Sequence, residues 1–478
     1  MNTKRMALAA LLLAGACLSA WADTNPPAPA AGPTPPAENQ KLAHDILRDI
    51  VAVHSVHAVG TKGVADIIVR YLKAGGFADS DIHELADPKY PHQMNVVVRL
   101  KGKGKGKPVM WICHMDVVEA KASDWSKPPF TLTEEGNYFY GRGTSDMKDE
   151  DAANAASLIR LKKEGYVPDR DIIVAFTADE EVGLEQDGPA WLLKAHPELV
   201  NAGLVINPDG DSGEIVKGKR LDFGVETSQK IYVTFTLSVT NRGGHSSQPR
   251  SDNAIYQLAE GLTRLAHFQF PFSLNDSTKL YFRKMAQFET GQRKADFLAV
   301  SQAKPDLVAA ARLSKDVPLN AILHSTCVAT MLSGGHQENA LAQLATATVQ
   351  CRIMPDETPD GTRATLQKLV GPNIQVKQVA YVVQAKGSPP DAKLFAQFDK
   401  VVHGMWGNTP VIPSMSAGAS DSIYTRNAGI PSYGVSGGWA DAYDGRAHGR
   451  DERREKGAFY QSVEFAYRLM KELSGGGR

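Results

Sequence analysis

The sequence has few cysteines, no excess of either charge, and no apolar run that would make it a multi-span membrane protein. Four cysteines among 478 residues cannot form the scaffold of a disulfide-rich fold. The 53 basic residues equal the 53 acidic ones, which argues against nucleic acid or an acidic membrane surface as a partner. The hydrophobic content of 42% excludes whole-chain disorder. The length predicts about two to three domains with a sizeable core.

The first 22 residues are predicted to be a signal peptide. Lys4 and Arg5 form a basic start, residues 6–18 are a short apolar run, and Ala20-Trp21-Ala22 supplies the small residues that a signal peptidase reads. We therefore expect cleavage after Ala22 and a periplasmic or secreted protein. The alternative is a lipoprotein anchored through Cys17, which would also leave the cytoplasm.

Residues 23–38 are rich in Pro and Ala, which predicts an extended linker. Three cysteines remain after the predicted cleavage: Cys113, Cys327 and Cys351. Because three is odd, at least one thiol stays free. Cys113 lies in an apolar run, which predicts a buried structural thiol.

Beyond the linker, short and nearly continuous apolar segments alternate with helical patterns. Residues 95–100, 109–113, 172–176 and 204–206 have the composition of buried strands, and 152–161 has helical spacing. This alternation predicts an α/β fold with a sheet covered by helices on both faces.

The pattern changes near Gln229 to strict alternation of apolar and polar residues, which predicts strands with one wet face. The alternation covers 231–240 and returns at 345–353, and helical spacing follows each strand. This order predicts a small α+β domain of the split βαβ, ferredoxin-like type. The predicted division is 39–228 and 383–478 for the larger domain and 229–382 for the inserted one. Segment 268–326 has no assigned role.

Polar residues that suit metal chemistry follow several of the predicted strands. Ligands bind at this carboxyl edge of open α/β sheets. Each segment also has an ordinary explanation, such as a solvated loop, a helix cap or a turn. The segments are His114-Met115-Asp116, Asp146-Met147-Lys148, Asp179-Glu180-Glu181 and Pro208-Asp209-Gly210, with His448 near the C-terminus.

Taken together, these residues form a donor set that the ordinary explanations account for poorly. Two histidines and three carboxylates suit a pair of Zn²⁺-like ions. One carboxylate can bridge two ions about 3.5–4 Å apart, an arrangement that hydrolases use. A glutamate that is not needed as a ligand can act as the general base.

The order and spacing of His114-x-Asp116, Asp146-Met147-Lys148, Glu180-Glu181, Asp209 and His448 resemble the M20 metallopeptidase family. That family includes glutamate carboxypeptidases, dipeptidases, aminoacylases and succinyl-diaminopimelate desuccinylases. The stretch 114–130, with Trp125 and Pro128-Pro129-Phe130, most resembles the aminoacylase and carboxypeptidase S branch.

The resemblance implies a zinc-peptidase-type catalytic domain with two Zn²⁺ ions, for which Co²⁺ or Mn²⁺ are possible substitutes. One ion would take His114, Asp146 and Asp209, and the other Asp146, Glu181 and His448. Glu180 would be the general base, and Asp116 would orient His114. Family members often have a non-proline cis peptide bond beside the bridging aspartate, which implies one at Asp146–Met147.

The resemblance also implies that the inserted domain is a lid through which two chains dimerise. His245 would reach the partner's active site and stabilise the oxyanion. Asn339 and Arg352 match positions that hold a substrate carboxylate, and Gly418 lies in a segment that resembles a substrate-backbone loop. Asp149 is a departure, because many relatives have glycine there, and it adds a charge near the site.

These features predict a zinc-dependent hydrolase that cleaves a peptide or amide bond near a free carboxylate by means of metal-activated water. It would be an exopeptidase, dipeptidase or carboxypeptidase acting on small peptides. The first alternative is an N-acyl-amino-acid deacylase, which only a substrate panel would separate. A metal-stabilised binding protein without activity and a binuclear phosphoesterase are more remote alternatives.

Overall fold

The computed structural model describes residues 32–183, 187–380 and 382–475. The predicted signal peptide, Cys17 and most of the predicted linker lie outside the described residues. The linker was predicted to end at residue 38, but the first helix already begins at Ala37, directly after Pro36.

Seventeen strands and thirteen α-helices are present in the part of the chain that the structure describes. The strands are β1 (Ile82–Leu85), β2 (Asn95–Leu100), β3 (Val109–His114), β4 (Thr133–Glu135), β5 (Tyr138–Tyr140), β6 (Ile172–Thr177), β7 (Leu204–Val216), β8 (Lys219–Gln229), β9 (Ile231–Thr240), β10 (Gly244–His245), β11 (Thr326–Gly334), β12 (Ala340–Leu341), β13 (Leu344–Ile353), β14 (Gln375–Gln378), β15 (Val411–Ser416), β16 (Ser432–Asp441) and β17 (Arg453–Glu455). The helices are α1 (Ala37–Val51), α2 (Lys62–Ala74), α3 (Lys148–Lys163), α4 (Gly188–Ala195), α5 (Ala254–Ala266), α6 (Asp276–Met285), α7 (Gly291–Val300), α8 (Leu307–Leu313), α9 (Val317–Leu323), α10 (Pro359–Val370), α11 (Ala392–Trp406), α12 (Ser422–Asn427) and α13 (Lys456–Ser474).

Eight strands form the large mixed sheet, in the order β1-β2-β6-β3-β7-β16-β8-β15. Every residue of β3 and β6 is buried, as expected for strands covered on both faces. Helices α1, α3 and α13 contribute to the core on one face, and Leu192 of α4 packs on the other. The predicted α/β class with a helix-covered sheet is confirmed.

The central strands place the candidate residues side by side. β3 and β6 are parallel neighbours, with His114 opposite Thr177, so the segments that follow them begin at the same edge. β7 differs from the prediction, because it continues through Asp209 to Val216 instead of ending at Ile206.

The continuation of β7 depends on close contact with β16. Their register shifts between Gly434 and Val435, and a Cβ at Gly210 would lie 2.2 Å from the Cα of Gly434. Only glycine fits at this approach, so the Pro-Asp-Gly sequence marks an irregular strand rather than the turn that was its ordinary explanation.

The smaller sheet has the order β11-β13-β9-β14, and all of its pairings are antiparallel. Helices α5 and α10 pack on its apolar face. The sequence β9-α5-β11-β13-α10-β14 in this spatial order is the split βαβ arrangement. We refer to this unit, from Ile231 to Gln378, as the lid.

The segment that had no assigned role contains helices α6 to α9. They form a core of their own that includes Phe282, Phe297 and Leu323 and contacts Ile412 of β15. Because β15 is the last strand of the large sheet, these helices cover an edge that would otherwise be exposed.

Cys327 and Cys351 form a disulfide, a pairing that the sequence alone did not decide. They lie directly opposite each other in β11 and β13. Cys113 is free and buried in β3, as predicted. None of the described helices has the length and apolar character needed to cross a bilayer.

Replacing both Cys327 and Cys351 by alanine is expected to destabilise the lid by about 3 kcal/mol, because the bridge closes a loop between residues 24 apart. Urea denaturation followed by circular dichroism measures this change. A reducing agent should lower the midpoint of the parent protein and leave that of the double variant unchanged. An equal effect of the reducing agent on both proteins would contradict the assignment.

Candidate metal centre

Two histidines from distant parts of the chain face the same carboxylate. The Nε2 atom of His114 lies 3.2 Å from Asp146 Oδ1, and the Nε2 atom of His448 lies 3.1 Å from Asp146 Oδ2. Glu181 is 2.9 Å from His448, and Asp209 is 3.9 Å from His114. Asp146 therefore presents one oxygen to each half of the cluster, which is the arrangement that a bridging ligand requires.

The donor atoms are close enough to hold cations. One group of atoms within 4.8 Å of one another comes from His114, Glu180 and Asp209, and a second comes from His114, Asp146 and Glu181. Nε2 of His114 is buried and makes no hydrogen bond in the described chain. A buried imidazole nitrogen aimed at carboxylates fits a metal ligand, so the residues present suit the ions that the resemblance implies.

The cluster is strained electrostatically without cations. Burial and the nearby Asp209 raise the pKa of Glu180 well above its usual value, and burial does the same for Asp209. Although burial opposes it, the neighbouring imidazoles of His114 and His448 lower the pKa of Asp146. Asp146 and Glu181 raise the pKa of His448 to about 10. Positive charge therefore stabilises this site, whether it comes from protons or from metal ions.

The structure corrects the predicted role of Asp116. Its carboxylate lies 3.8 Å from Nδ1 of His114, whereas its backbone carbonyl is the hydrogen-bond partner of that nitrogen at 3.1 Å. The carboxylate instead accepts the backbone N–H groups of Glu180 and Glu181, at 3.2 and 3.1 Å. The prediction assumed that the extended strand continues, but β3 ends at His114 and residues 115–120 have no regular secondary structure.

Glu452 holds the loop that leads to Asp146, and no sequence pattern pointed to it. It is fully buried; one oxygen accepts from Arg142 at 2.5 Å, and the other accepts the N–H groups of Gly143 and Ser145. The peptide bond Asp146–Met147 is cis, as the resemblance implied.

Asp149 does not add an uncompensated charge to the cluster. Its Oδ2 atom lies 3.1 Å from Nε of Arg454, and both side chains line a cavity of about 780 Å³ that also reaches Asp209. Gly438 leaves room for this guanidinium, because a Cβ there would overlap it. The departure at residue 149 is thus matched by Arg454 and Gly438, which lie far along the chain.

The remaining candidate residues lie apart from the cluster. His245 is exposed in β10, which pairs with β12, and Ser246 N–H donates to the Asn339 carbonyl, so His245 and Asn339 share one ribbon of the lid. Arg352 stacks over Tyr232 at 4.6 Å, and Gly418 is exposed beside Ser416. None of these four makes a hydrogen bond or ion pair to the cluster within the described residues.

The fold and the donor set together define a metallohydrolase of the mixed α/β class. The profile of peptidase family M20/M25/M40 matches residues 110–472. The chain therefore belongs to peptidase family M20/M25/M40, as the resemblance indicated, and it is an enzyme of the metallopeptidase type.

Individual relatives agree with this assignment. The N-fatty-acyl-amino acid synthase/hydrolase PM20D1 of Xenopus tropicalis is 29% identical over 378 residues, which are 76% of this chain and 72% of the relative. A probable carboxypeptidase S-like 2 of Dictyostelium discoideum is 25% identical, over 76% and 71% of the two chains. The M20 family metallo-carboxypeptidase Sso-CP2 of Sulfolobus solfataricus has the same fold, with a TM-score of 0.67, 18% identity, and coverage of 90% and 98%.

Replacing Glu452 by glutamine is expected to destabilise the protein by about 3 kcal/mol, because it leaves Arg142 buried without a charged partner. Chemical denaturation measures this loss. The neighbouring Asp451→Asn serves as the control, since Asp451 makes its contacts near the surface and asparagine tolerates its positive φ of 53°. Equal midpoints for the two variants would show that Glu452 does not hold the loop.

Proposed function

We propose that this chain is an exported hydrolase that uses a pair of zinc ions to cleave a peptide or amide bond near a free carboxylate. The observation that carries this proposal is the position of Asp146 between His114 and His448, with one carboxylate oxygen toward each. His114 and Asp209 would complete one site, and Glu181 and His448 the other. A donor set of imidazole and carboxylate groups suits Zn²⁺, with Co²⁺ or Mn²⁺ as substitutes.

When bound, such ions polarise a substrate carbonyl and make water a stronger acid. Glu180 would take a proton from the attacking water, and the position of its carboxylate beside the donor atoms of His114 and Asp209 supports this role. The same carboxyl then donates this proton to the nitrogen of the leaving amine.

The lid would recognise the carboxylate of the substrate. Nη1 of Arg352 is buried without a hydrogen-bond partner in the described chain, although its ring contact with Tyr232 holds the guanidinium in place. A guanidinium fork binds a carboxylate through two parallel hydrogen bonds. Asn339 and Gly418 would contact the same substrate, and His245 would stabilise the oxyanion.

An N-acyl-amino-acid deacylase is the second candidate. The relative PM20D1 carries this chemistry in its name, whereas the carboxypeptidase S-like relative points to peptides. Both substrate classes offer an amide bond and a free carboxylate. A panel of dipeptides, N-acetyl amino acids and N-fatty-acyl amino acids, compared by kcat/KM, separates the two candidates.

Export is supported by the disulfide, because such bonds persist mainly outside the cytoplasm. Dimerisation is supported by β11, which is an edge strand of the lid sheet and exposes Val328, Met331 and Leu332. An exposed apolar edge strand offers unpaired backbone groups to a second chain. A second copy paired there would also account for the distance of His245 from the cluster of its own chain.

Replacing Glu180 by glutamine is expected to lower kcat about a thousandfold, because the proton acceptor is lost while the proposed ligands remain. Elemental analysis should still find two ions per chain in the variant. Glu198→Gln, at an exposed position, is the matched control and should keep full activity. Near-normal turnover by the Glu180 variant would refute its role, and activity that survives removal of all metal by a chelator would refute the metal mechanism.

Replacing Met331 and Leu332 by aspartate is expected to convert the protein from a dimer to a monomer, because charge on the exposed edge opposes pairing. Light scattering coupled to size exclusion measures the mass. Val317→Asp is the control, since Val317 is equally apolar and 80% exposed but lies on α9, outside the lid sheet. A double variant that remains dimeric would place the interface elsewhere.

A further inference from the structure

The connection between α1 and α2 contacts both of the segments that carry the candidate residues of β3 and β6. The hydroxyl of Ser55 donates to the Met115 carbonyl at 2.8 Å, and the backbone carbonyl of Ser55 accepts the N–H of Val117 at 3.2 Å. Two residues further on, Nδ1 of His57 lies 2.9 Å from Oδ1 of Asp179. This connection therefore touches the chain on both sides of Asp116 and immediately before Glu180.

Asp179 begins the turn that contains Glu180 and Glu181, which we call the acidic turn. The backbone conformation of Asp179 has to be stabilised by its neighbours. Its φ of 66° is in the left-handed region, which a non-glycine residue adopts only at a cost in energy. Its side chain is completely buried, and its second oxygen has no hydrogen-bond partner within the described residues. Within the described residues, the Asp179 carboxylate therefore makes its side-chain hydrogen bond to His57.

The contacts of His57 favour a proton on Nδ1. Gln93 Nε2 lies 2.9 Å from the His57 carbonyl and 3.2 Å from Nδ1. An ionised Asp179 requires Nδ1–H as its donor, and Gln93 then donates to the His57 carbonyl and not to the ring. Gln93 is itself buried, and its hydrogen bond to the backbone carbonyl of His57 restrains the position of this residue.

We propose that His57 is a positioning residue for the hydrolytic reaction: its Nδ1–H fixes Asp179 and thereby the turn that places Glu180 and Glu181. This inference rests on the proposed function, in which Glu180 is the base and Glu181 a ligand. The turn is held from two sides, because Asp116 accepts the N–H groups of Glu180 and Glu181 while His57 fixes the residue before them.

A positioning role predicts a kinetic effect that a merely structural role does not. Without its restraint, the turn can place Glu180 in orientations that do not reach the attacking water, so kcat falls while substrate affinity persists. We expect His57→Ala to lower kcat between about tenfold and a hundredfold at saturating metal, with KM changed less than about twofold.

Two conservative variants separate the hydrogen bond from the bulk of the ring. Asparagine can place its amide N–H where Nδ1 lies, and glutamine places it near the position of Nε2. His57→Asn should therefore recover most of the lost kcat, whereas His57→Gln should behave like the alanine variant. This comparison remains informative even where the alanine variant does not fold.

His54 offers a matched control in the same connection. It pairs with Glu119 at 3.0 Å, and both of these side chains are about half exposed. His54→Ala should retain the parental kcat, metal content and thermal midpoint.

The results distinguish the failure of this inference from the failure of the proposed function. If Glu180→Gln is inactive but His57→Ala and His57→Gln turn over at the parental rate, the positioning role is wrong and the proposed base stands. Equal kcat for His57→Asn and His57→Gln would also overturn it. If Glu180→Gln keeps its activity, the proposed function itself fails, and the inference fails with it.

Discussion

The repulsion among partly buried carboxylates at one sheet edge is the constraint on which the rest of this structure depends. Asp146, Glu181 and Asp209 face two histidines, and Glu180 lies among them. Two like charges 4 Å apart repel by about 4 kcal/mol where the effective dielectric is near 20. Lys148 makes no ion pair with these carboxylates in the described chain, because its ammonium donates to the carbonyls of Ile50 and Val53. Bound cations would therefore relieve the repulsion among these carboxylates.

Such a cluster persists only if the scaffold holds each donor independently of its neighbours. Asp146 follows a loop fixed by Glu452, and the acidic turn is fixed by Asp116. Asp209 sits in a strand whose course depends on the contact between Gly210 and Gly434. Each restraint is a buried or part-buried hydrogen bond or a backbone contact, and each comes from a residue outside the donor set, so the site can be organised before any ion arrives.

The sequence allowed the prediction of those features that follow from local periodicity or from a compact motif. The apolar runs of β2, β3 and β6 and the alternation of β9 and β13 identified both sheets, and the residues now found together around Asp146 lay in short motifs at strand ends. Glu452 and His57 could not be found in this way. Each lies far along the chain from its partner, and an isolated acid or histidine carries no local signal. The long course of β7 was missed because Pro-Asp-Gly is typical of turns, and only the approach of β16 overrides that tendency.

In the proposed function, the charges of the centre would require a residue outside it to recognise a free carboxylate. Four carboxylates and two divalent cations would leave roughly no net charge, so the centre itself would not favour an anionic group on the substrate. The positively charged group would have to come from another part of the protein, where it is partly removed from water but not already paired with an acid. Arg352 meets both conditions, since its guanidinium is partly buried against Tyr232 and has no ion pair within the described residues. The burial that lowers the pKa of Arg352 leaves it fully protonated at neutral pH, because an arginine starts so high. In the proposed function, selectivity and hydrolysis would therefore belong to separate units, the lid and the large sheet, and the relative placement of these units would decide which substrates react.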